Sequence, residues 1–471
     1  MKIKSCLYFL GLSCFPISVM SLLNIFYSFY FNYLSNVYSY ISVLLASLFI
    51  GIFFYKKTKK DSENINFYEQ LFLILLVYFS ISIFISIPYY FSQYNLSLID
   101  SYFESVSGLT GTGFTIFTNI KFLDDPLILW RSTSQWIGGF YFLIFLILIF
   151  SNKQFNFKMI DFSFNLEKKI NFSSNLINVT NRIFLIYIST TIIIFTLFLI
   201  SGIRLFDSLN LTMTVISSGG FLPESSLDDI VRNNLQSVML CLAFIISFLN
   251  FYLLYNILFK RDNLKDHRED IYIISLTIIF ALIFYFINDL DLSQVLVSIL
   301  SSISTSGISN HSVPGNFGLY FIILTLLGGS VLSTSSGLKF IRIYILIKAF
   351  FMEIYRLVKP NVMFNTKIMF SEKKINNENI KMSFLIFILF FLSLFILSSI
   401  LLFDYLDFEN TFKLSILTLT NTAVSRVYGM SEVQFLDLFT FSKISIIIFM
   451  VIAKIELLAI FIFIRKVFFK D

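Results

Sequence analysis

SLIDSYFESVSGLTGTGFTIF, residues 97–117, decides how the rest of the chain is read. It opens on polar residues, runs through roughly ten semi-apolar ones and ends in a Ser/Thr/Gly cluster. Ten helical residues reach about 15 Å, half the thickness of a bilayer core. RLFDSLNLTMTVISSGGF (204–221), DLSQVLVSILSSISTSGIS (291–309) and DFENTFKLSILTLTNTAVS (407–425) have the same form. Asp100, Asp207, Ser293 and Asn410 are the expected helix N-caps. The distance from cap to cluster is 13 residues to Gly113, 12 to Gly219, 14 to Gly307 and 13 to Ala423. The spacing predicts four re-entrant half-helices in one repeat.

Each half-helix lies between two longer apolar runs. Ten spans are expected near 6–31, 36–55, 67–91, 128–150, 183–203, 235–259, 271–288, 317–350, 382–403 and 440–468. Lys2 and Lys4 precede the first, but its length and lack of a small-residue cleavage site mark it as a span rather than a leader. The expected fold is an all-α polytopic membrane protein. Residues 1–60 form two N-terminal transmembrane helices, followed by pore repeats at 61–152, 153–260, 261–350 and 351–471, in pseudo-fourfold arrangement. Composition agrees: 57% of the 471 residues are hydrophobic and 14% charged, with mean hydropathy +0.81.

Segments 1–5, 56–69, 152–182, 260–270, 348–382 and 465–471 hold 25 of the 35 Lys and Arg against 13 acids. By the positive-inside rule these face the cytoplasm, with both termini inside. The net charge of +6 is therefore topology and calls for no nucleic-acid partner. Cys6, Cys14 and Cys241 sit in apolar stretches without metal spacing, and the only histidines are His267 and His311. No acid/His constellation suggests an enzyme, and no Gly-rich loop follows a strand to hold a nucleotide.

A half-helix aims the negative end of its dipole at the midplane. Glycine after it can take φ > 0, and rings of carbonyl oxygens can replace the hydration shell of a monovalent cation. Hydroxyls of Thr110, Thr112, Ser217, Ser218, Ser304, Thr305 and Ser306 add oxygens or brace the turn. The clusters contain no carboxylate, which argues against a Ca²⁺ or Mg²⁺ cage.

FESVSGLTGTGFT (103–115) resembles the first pore loop of Trk-type potassium transporters in the Trk/Ktr/HKT superfamily. ILWRSTSQWIGG (128–139) resembles the W-R-x-x-x-Q-W-x-G-G signature of that family. TVISSGGF (214–221) and SISTSGIS (302–309) are similar to its second and third loops, and GGSVLSTSSGLKFIRI (328–343) to its G-S-T-x-G-G-[IL]-K-x-x-R element. AKIELLAIFIF (453–463) is similar to its G-R-L-E segment. The resemblance runs from about residue 60 to 468, and the two leading spans fit members with an extra N-terminal pair.

The resemblance implies K⁺ as substrate, no covalently bound cofactor, a multi-pass protein of the bacterial inner membrane, a homodimer in lipid and a cytoplasmic nucleotide-binding regulatory subunit. It places the selectivity filter at Thr112, Gly113, Ser218, Gly219, Ser306, Gly307, Thr422 and Ala423, with supporting hydroxyls at Thr110, Ser217 and Thr305. It places a gate at the broken middle of the 317–350 span, residues 328–337, with Gly328, Gly329, Ser333, Thr334 and Gly337. Lys454 stands at the family's Arg position, with its charge facing the pore below the filter. It follows Lys443 by about 16 Å of helix, near the midplane, and shares no helix face with Glu456. An alternative role for Lys454 is a salt bridge to a neighbouring unit.

Several residues depart from the family pattern. Ala423, Val424 and Ser425 replace a Gly-Pro-Gly, and an alanine forced into a left-handed conformation costs about 1–2 kcal/mol. Arg426 follows, with Glu432 as a candidate partner, and Phe114, Val331 and Leu332 stand where small residues are usual. Two alternatives to selective K⁺ uptake stay open: a less selective K⁺/Na⁺ pathway, and a non-conducting, transporter-derived scaffold or sensor.

Overall fold

The computed structural model describes residues 3–58, 65–150, 176–260, 268–287, 291–310, 317–359, 375–430 and 433–469. His267, His311 and Glu432 lie outside the described residues. Secondary structure within them is helical throughout. α1 (Ile3–Tyr30) and α2 (Val37–Thr58) form a hairpin in which Gly11 and Gly51 face each other. A Cβ on Gly11 would lie 3.0 Å from the Gly51 carbonyl oxygen, so two small residues let the backbones approach closely. The hairpin packs on the first repeat, where Tyr141 donates to the Ser13 carbonyl at 2.5 Å.

The first repeat comprises α3 (Phe67–Tyr90), half-helix α4 (Leu98–Thr110) and α5 (Asp125–Phe150). The second has α6 (Leu176–Ile200), half-helix α7 (Leu205–Ile216), α8 (Asn234–Phe248) and α9 (Phe251–Tyr255). In the third, α10 (Arg268–Ile287) and half-helix α11 (Leu292–Ile303) precede α12 (Gly318–Leu327) and α13 (Phe340–Val358). The fourth contains α14 (Asn377–Leu401), half-helix α15 (Phe408–Thr420), α16 (Thr440–Ile455) and α17 (Leu457–Phe469).

Seven helices among the described residues are long and apolar enough to cross a bilayer: α1, α2, α3, α5, α6, α10 and α14. The other three expected spans are broken. The 235–259 span bends by 106° between α8 and α9. There the Asn250 side chain accepts from the Tyr252 N–H at 3.0 Å, and Asp270 accepts from the Asn250 N–H at 3.1 Å. Those side chains satisfy backbone groups that a break at membrane depth would leave bare. The 317–350 span opens into a loop between α12 and α13, and the 440–468 span breaks at Glu456, with φ +92°.

The half-helix caps differ from expectation. They are Ser97, Arg204, Asp291 and Asp407, not Asp100, Asp207, Ser293 and Asn410. Asp100, Asp207 and Asn410 each stand three residues inside, and the two acids there complement the positive helix end. Ser97 accepts from the Asp100 N–H at 3.2 Å and donates to its carboxylate at 2.6 Å.

Packing fixes the cyclic order of the repeats. α5 meets α7, α8 meets α11, α12 meets α15, and α16 returns to α4. A buried ion pair closes the ring, with Lys443 Nζ 2.6 Å from Asp100 Oδ1. Loops 1 and 3 are therefore diagonal to each other, as are loops 2 and 4.

Candidate functional site: a ring of four pore loops

Backbone hydrogen bonds set the register of the four loops. The N–H groups of Thr112, Gly219, Ser306 and Thr422 donate to the carbonyls of Ser107, Thr214, Ser301 and Leu417 at 2.8–3.0 Å. The residues just before them, Gly111, Ser218, Thr305 and Asn421, all have left-handed backbone, with φ of +72°, +54°, +59° and +47°. Gly113, Gly220, Gly307 and Ala423 are consequently equivalent. Gly220, one residue beyond the expected Gly219, occupies the second ring position. Hydroxyl braces agree: Ser107 donates to the Phe114 carbonyl at 2.6 Å, and Thr214 to the Phe221 carbonyl at 2.8 Å, the same offset of seven.

These four residues converge. A Cβ on Gly113 would lie 2.8 Å from Gly220 Cα and 2.9 Å from Ala423 Cβ. On Gly220 it would lie 2.1 Å from Ala423 Cβ, and on Gly307 2.3 Å from the Ala423 carbonyl oxygen. Gly113 and Gly307 have φ of +79° and +71°, while Gly220 and Ala423 are absent from the positive-φ residues. Ala423 thus carries no left-handed strain, contrary to the expected cost. Its methyl instead reaches across the ring toward Gly220. Gly219 faces outward, where a Cβ would strike the Gln135 amide at 2.3 Å.

Hydroxyl pairs recur in three loops: Thr110–Thr112 at 2.7 Å, Ser304–Ser306 at 2.6 Å and Thr420–Thr422 at 2.9 Å. Loop 2 has Ser217 but no hydroxyl two residues on to pair with it, because Gly219 takes that place. In its satisfied orientation the Asn421 amide donates to Thr112 Oγ1 at 3.0 Å, tying loop 4 to loop 1. Behind the loops, buried Arg131 pairs with buried Glu104 at 2.9 Å and donates to Thr115 Oγ1 at 3.0 Å. Glu104 also accepts from the Ile116 N–H at 2.8 Å, and Gln135 accepts from the Phe221 N–H at 3.2 Å. These braces come from the W-R-x-x-x-Q-W signature, which sequence alone assigned no role. Glu104, the carboxylate nearer the ring in the first half-helix, is spent on its arginine.

One face of the ring opens into a vestibule of about 240 Å³, floored by Gly113, Gly220, Gly307 and Ala423 and flanked by Arg131 and exposed Arg426. At its rim, hydroxyls of Ser226 and Ser225 donate to Asp229 at 2.8 and 3.1 Å and hold its carboxyl below the usual range. Asp229 therefore stays ionised at the mouth.

The opposite face meets residues 328–339, the loop between α12 and α13. Gly328 and Gly337 close its base with φ of +60° and +82°. The Gly329 N–H donates to Ser335 Oγ at 3.0 Å, and Ser333 Oγ to the Ser330 carbonyl at 2.7 Å. Thr334 Oγ1 lies 3.0 Å from Ser218 Oγ and donates to the Ser247 carbonyl at 2.9 Å. The Ser336 N–H donates to Thr305 Oγ1 at 2.9 Å. The loop thereby touches the left-handed residues of loops 2 and 3. It also pairs with the break in the second repeat, through Ser330 N–H to the Phe248 carbonyl at 3.0 Å and Phe251 N–H to the Leu332 carbonyl at 2.8 Å.

Lys454 sits beside this loop, fully buried. Its Nζ donates to Ser336 Oγ at 3.0 Å, lies 4.2 Å from the Phe142 ring centroid and falls 3.6 Å from where a Gly111 Cβ would stand. Among the described residues it has no carboxylate partner, since Glu456 pairs with Arg342 at 2.5 Å.

Fold and site together define a class: all-α polytopic membrane proteins in which four span–half-helix–span units surround one ring. No protein-family model matches the chain. It is 26% identical over 444 residues to an uncharacterized cation transporter of Methanocaldococcus jannaschii, covering 91% of both chains. It is 24% identical over 352 residues to the Trk system potassium uptake protein TrkH of Salmonella typhimurium, 70% of this chain and 72% of that protein. The crystal structure of the potassium transporter TrkH from Vibrio parahaemolyticus superposes with a TM-score of 0.85 at 20% identity, covering 98% of each chain. The chain therefore has the fold of that TrkH structure and is similar in sequence to Trk system potassium uptake proteins.

Proposed function

We propose that this chain takes up K⁺ across the bacterial inner membrane through the four-loop ring. The observation that carries the reading is the ring itself: four loops in one register, between a vestibule and an intramembrane loop. Half-helix C-terminal ends and loop carbonyls favour a monovalent cation over an anion. The names of the Salmonella and Vibrio relatives supply potassium as the cargo. In this reading the filter comprises Thr112, Gly113, Ser306, Gly307, Thr422 and Ala423, with Gly220 completing the ring beside Ser218 and Gly219. Thr110, Ser217 and Thr305 brace it. Gly328, Gly329, Ser333, Thr334 and Gly337 belong to the gate, together with Lys454. The protein works as a homodimer in lipid, with both termini in the cytoplasm and a nucleotide-binding regulatory subunit on that side.

Expression in a bacterium lacking its own potassium uptake systems, with and without that subunit, tests the reading. Growth at low K⁺ is the expected result. Correctly inserted protein that fails to restore it in either case removes the transport claim. Lys454→Ala should raise flux in the absence of the regulatory subunit by about tenfold, because a buried charge beside the pathway would be gone. Flux and regulation identical to wild type would leave Lys454 a packing residue.

A less selective K⁺/Na⁺ pathway is the second reading. The Ala423 methyl favours it, since it crowds Gly220 in one quarter of the ring. Ion competition in a flux assay separates the two.

A further inference from the structure

Two buried lysines face the Phe142 ring, and they are treated differently. Lys454 Nζ, 4.2 Å from the ring centroid, has one hydroxyl partner, Ser336. Lys339 Nζ, 5.8 Å from the centroid, is enclosed by four oxygens of one loop. It lies 2.5 Å from the Ser335 carbonyl, 3.1 Å from the Ser330 carbonyl, 3.3 Å from Ser333 Oγ and 3.4 Å from the Ser333 carbonyl. Lys339 itself has φ +69°, a conformation unfavourable for a residue with a Cβ. The loop accepts that strain to bring the ammonium back among its own carbonyls.

We propose that Lys339 is a tethered cation that holds the intramembrane loop folded, in a place a free monovalent ion would otherwise fill. Three carbonyls and a hydroxyl aimed at one point repel each other unless a cation lies between them. An ammonium is a compact charge with three rotatable donors, suited to such a cage, whereas a planar guanidinium is not. The same loop carries Thr334 to Ser218 and Ser336 to Thr305 and Lys454. Lys339 is therefore a positioning residue: it keeps those contacts in place whether or not an ion occupies the pathway. The functional consequence rests on the conduction reading. The structural claim does not, and its test avoids flux.

The reporter is Val331→Cys, at a fully buried loop position, in full-length protein whose Cys6, Cys14 and Cys241 are replaced by alanine. Modification by N-ethylmaleimide is followed by mass, in choline or in K⁺ buffer. With Lys339 present the thiol should be shielded in both. Lys339→Ala should speed modification about tenfold in choline as the loop opens, and K⁺ should restore shielding by entering the vacated cage. Lys339→Gln, which keeps donors without charge, serves if the alanine variant does not elute as a monodisperse species, and the same response is expected. Lys339→Arg should open the loop without K⁺ rescue. Unchanged shielding in choline overturns the proposal, and so does exposure that K⁺ leaves untouched. Loss of K⁺ uptake by the wild-type chain would sink the conduction reading and leave this assay standing.

Discussion

Loops 1 and 3 and loops 2 and 4 form the two diagonals of the ring, and they build the same position differently. Gly113 and Gly307 sit there with φ of +79° and +71°, while Gly220 and Ala423 need no positive φ. The left-handed residue two places earlier is common to all four loops. The ring is thus fourfold in hydrogen-bond register and only twofold in backbone. The difference explains where an alanine is tolerated: it stands on the diagonal that does not demand glycine's freedom.

The comparison can be broken most severely on the glycine diagonal. Gly307→Ala combines a left-handed alanine with a Cβ 2.3 Å from the Ala423 carbonyl oxygen. Strain of about 1–2 kcal/mol plus the clash should lower K⁺ uptake by about a hundredfold. Uptake within twofold of wild type would mean that loop 3 does not shape the pathway.

Gly220→Ala should come next, since its defect is steric alone. The new methyl would meet that of Ala423 at 2.1 Å, and a loss of about tenfold in uptake is expected. Adding Ala423→Gly moves the single methyl to the other end of the same diagonal. The pair should recover most of the loss, a strongly non-additive cycle. Additive effects would show that the two methyls never meet.

Asn421→Val probes the shared left-handed position and should act mainly on stability. Asparagine tolerates φ +47°, and a β-branched residue does not. Loss of the amide's bond to Thr112 adds to the strain, for a destabilisation of about 2 kcal/mol seen as a lower Tm. Ala423→Gly alone should have the smallest effect, widening one quarter of the ring with uptake changed by about twofold or less. Its signature is a shift in K⁺/Na⁺ competition.

Much of this architecture was legible before coordinates. Short polar-headed apolar segments of half-bilayer length identify the half-helices, and the Gly/Ser run at 328–337 marks a break that no membrane-depth helix tolerates without burial. The register of loop 2 was misread, because two adjacent glycines offer themselves and the wrong one sits 12 residues from Asp207. Insisting on the 13-residue spacing of loops 1 and 4 would have selected Gly220. The partition of φ between diagonals leaves no mark on composition, and Asn250, one of several polar residues in the 235–259 run, does not by itself announce a bend of 106°. Both arise from contacts between repeats. The Arg131–Glu104 brace lies within the first repeat and the cage around Lys339 within one loop, but neither follows from helical periodicity.

The ion pair that closes the ring sets an order on biogenesis. Asp100 leaves the ribosome long before its partner, which lies 343 residues further along the chain. Until Lys443 arrives, the first half-helix holds a buried-destined carboxylate without the cation it pairs with in the finished ring. Before the fourth repeat is in place, that end of the half-helix has only its own Ser97 hydroxyl and helix terminus to serve it. Only the last repeat's entry brings α16 onto α4, so a chain halted before residue 443 would leave the ring open on that side.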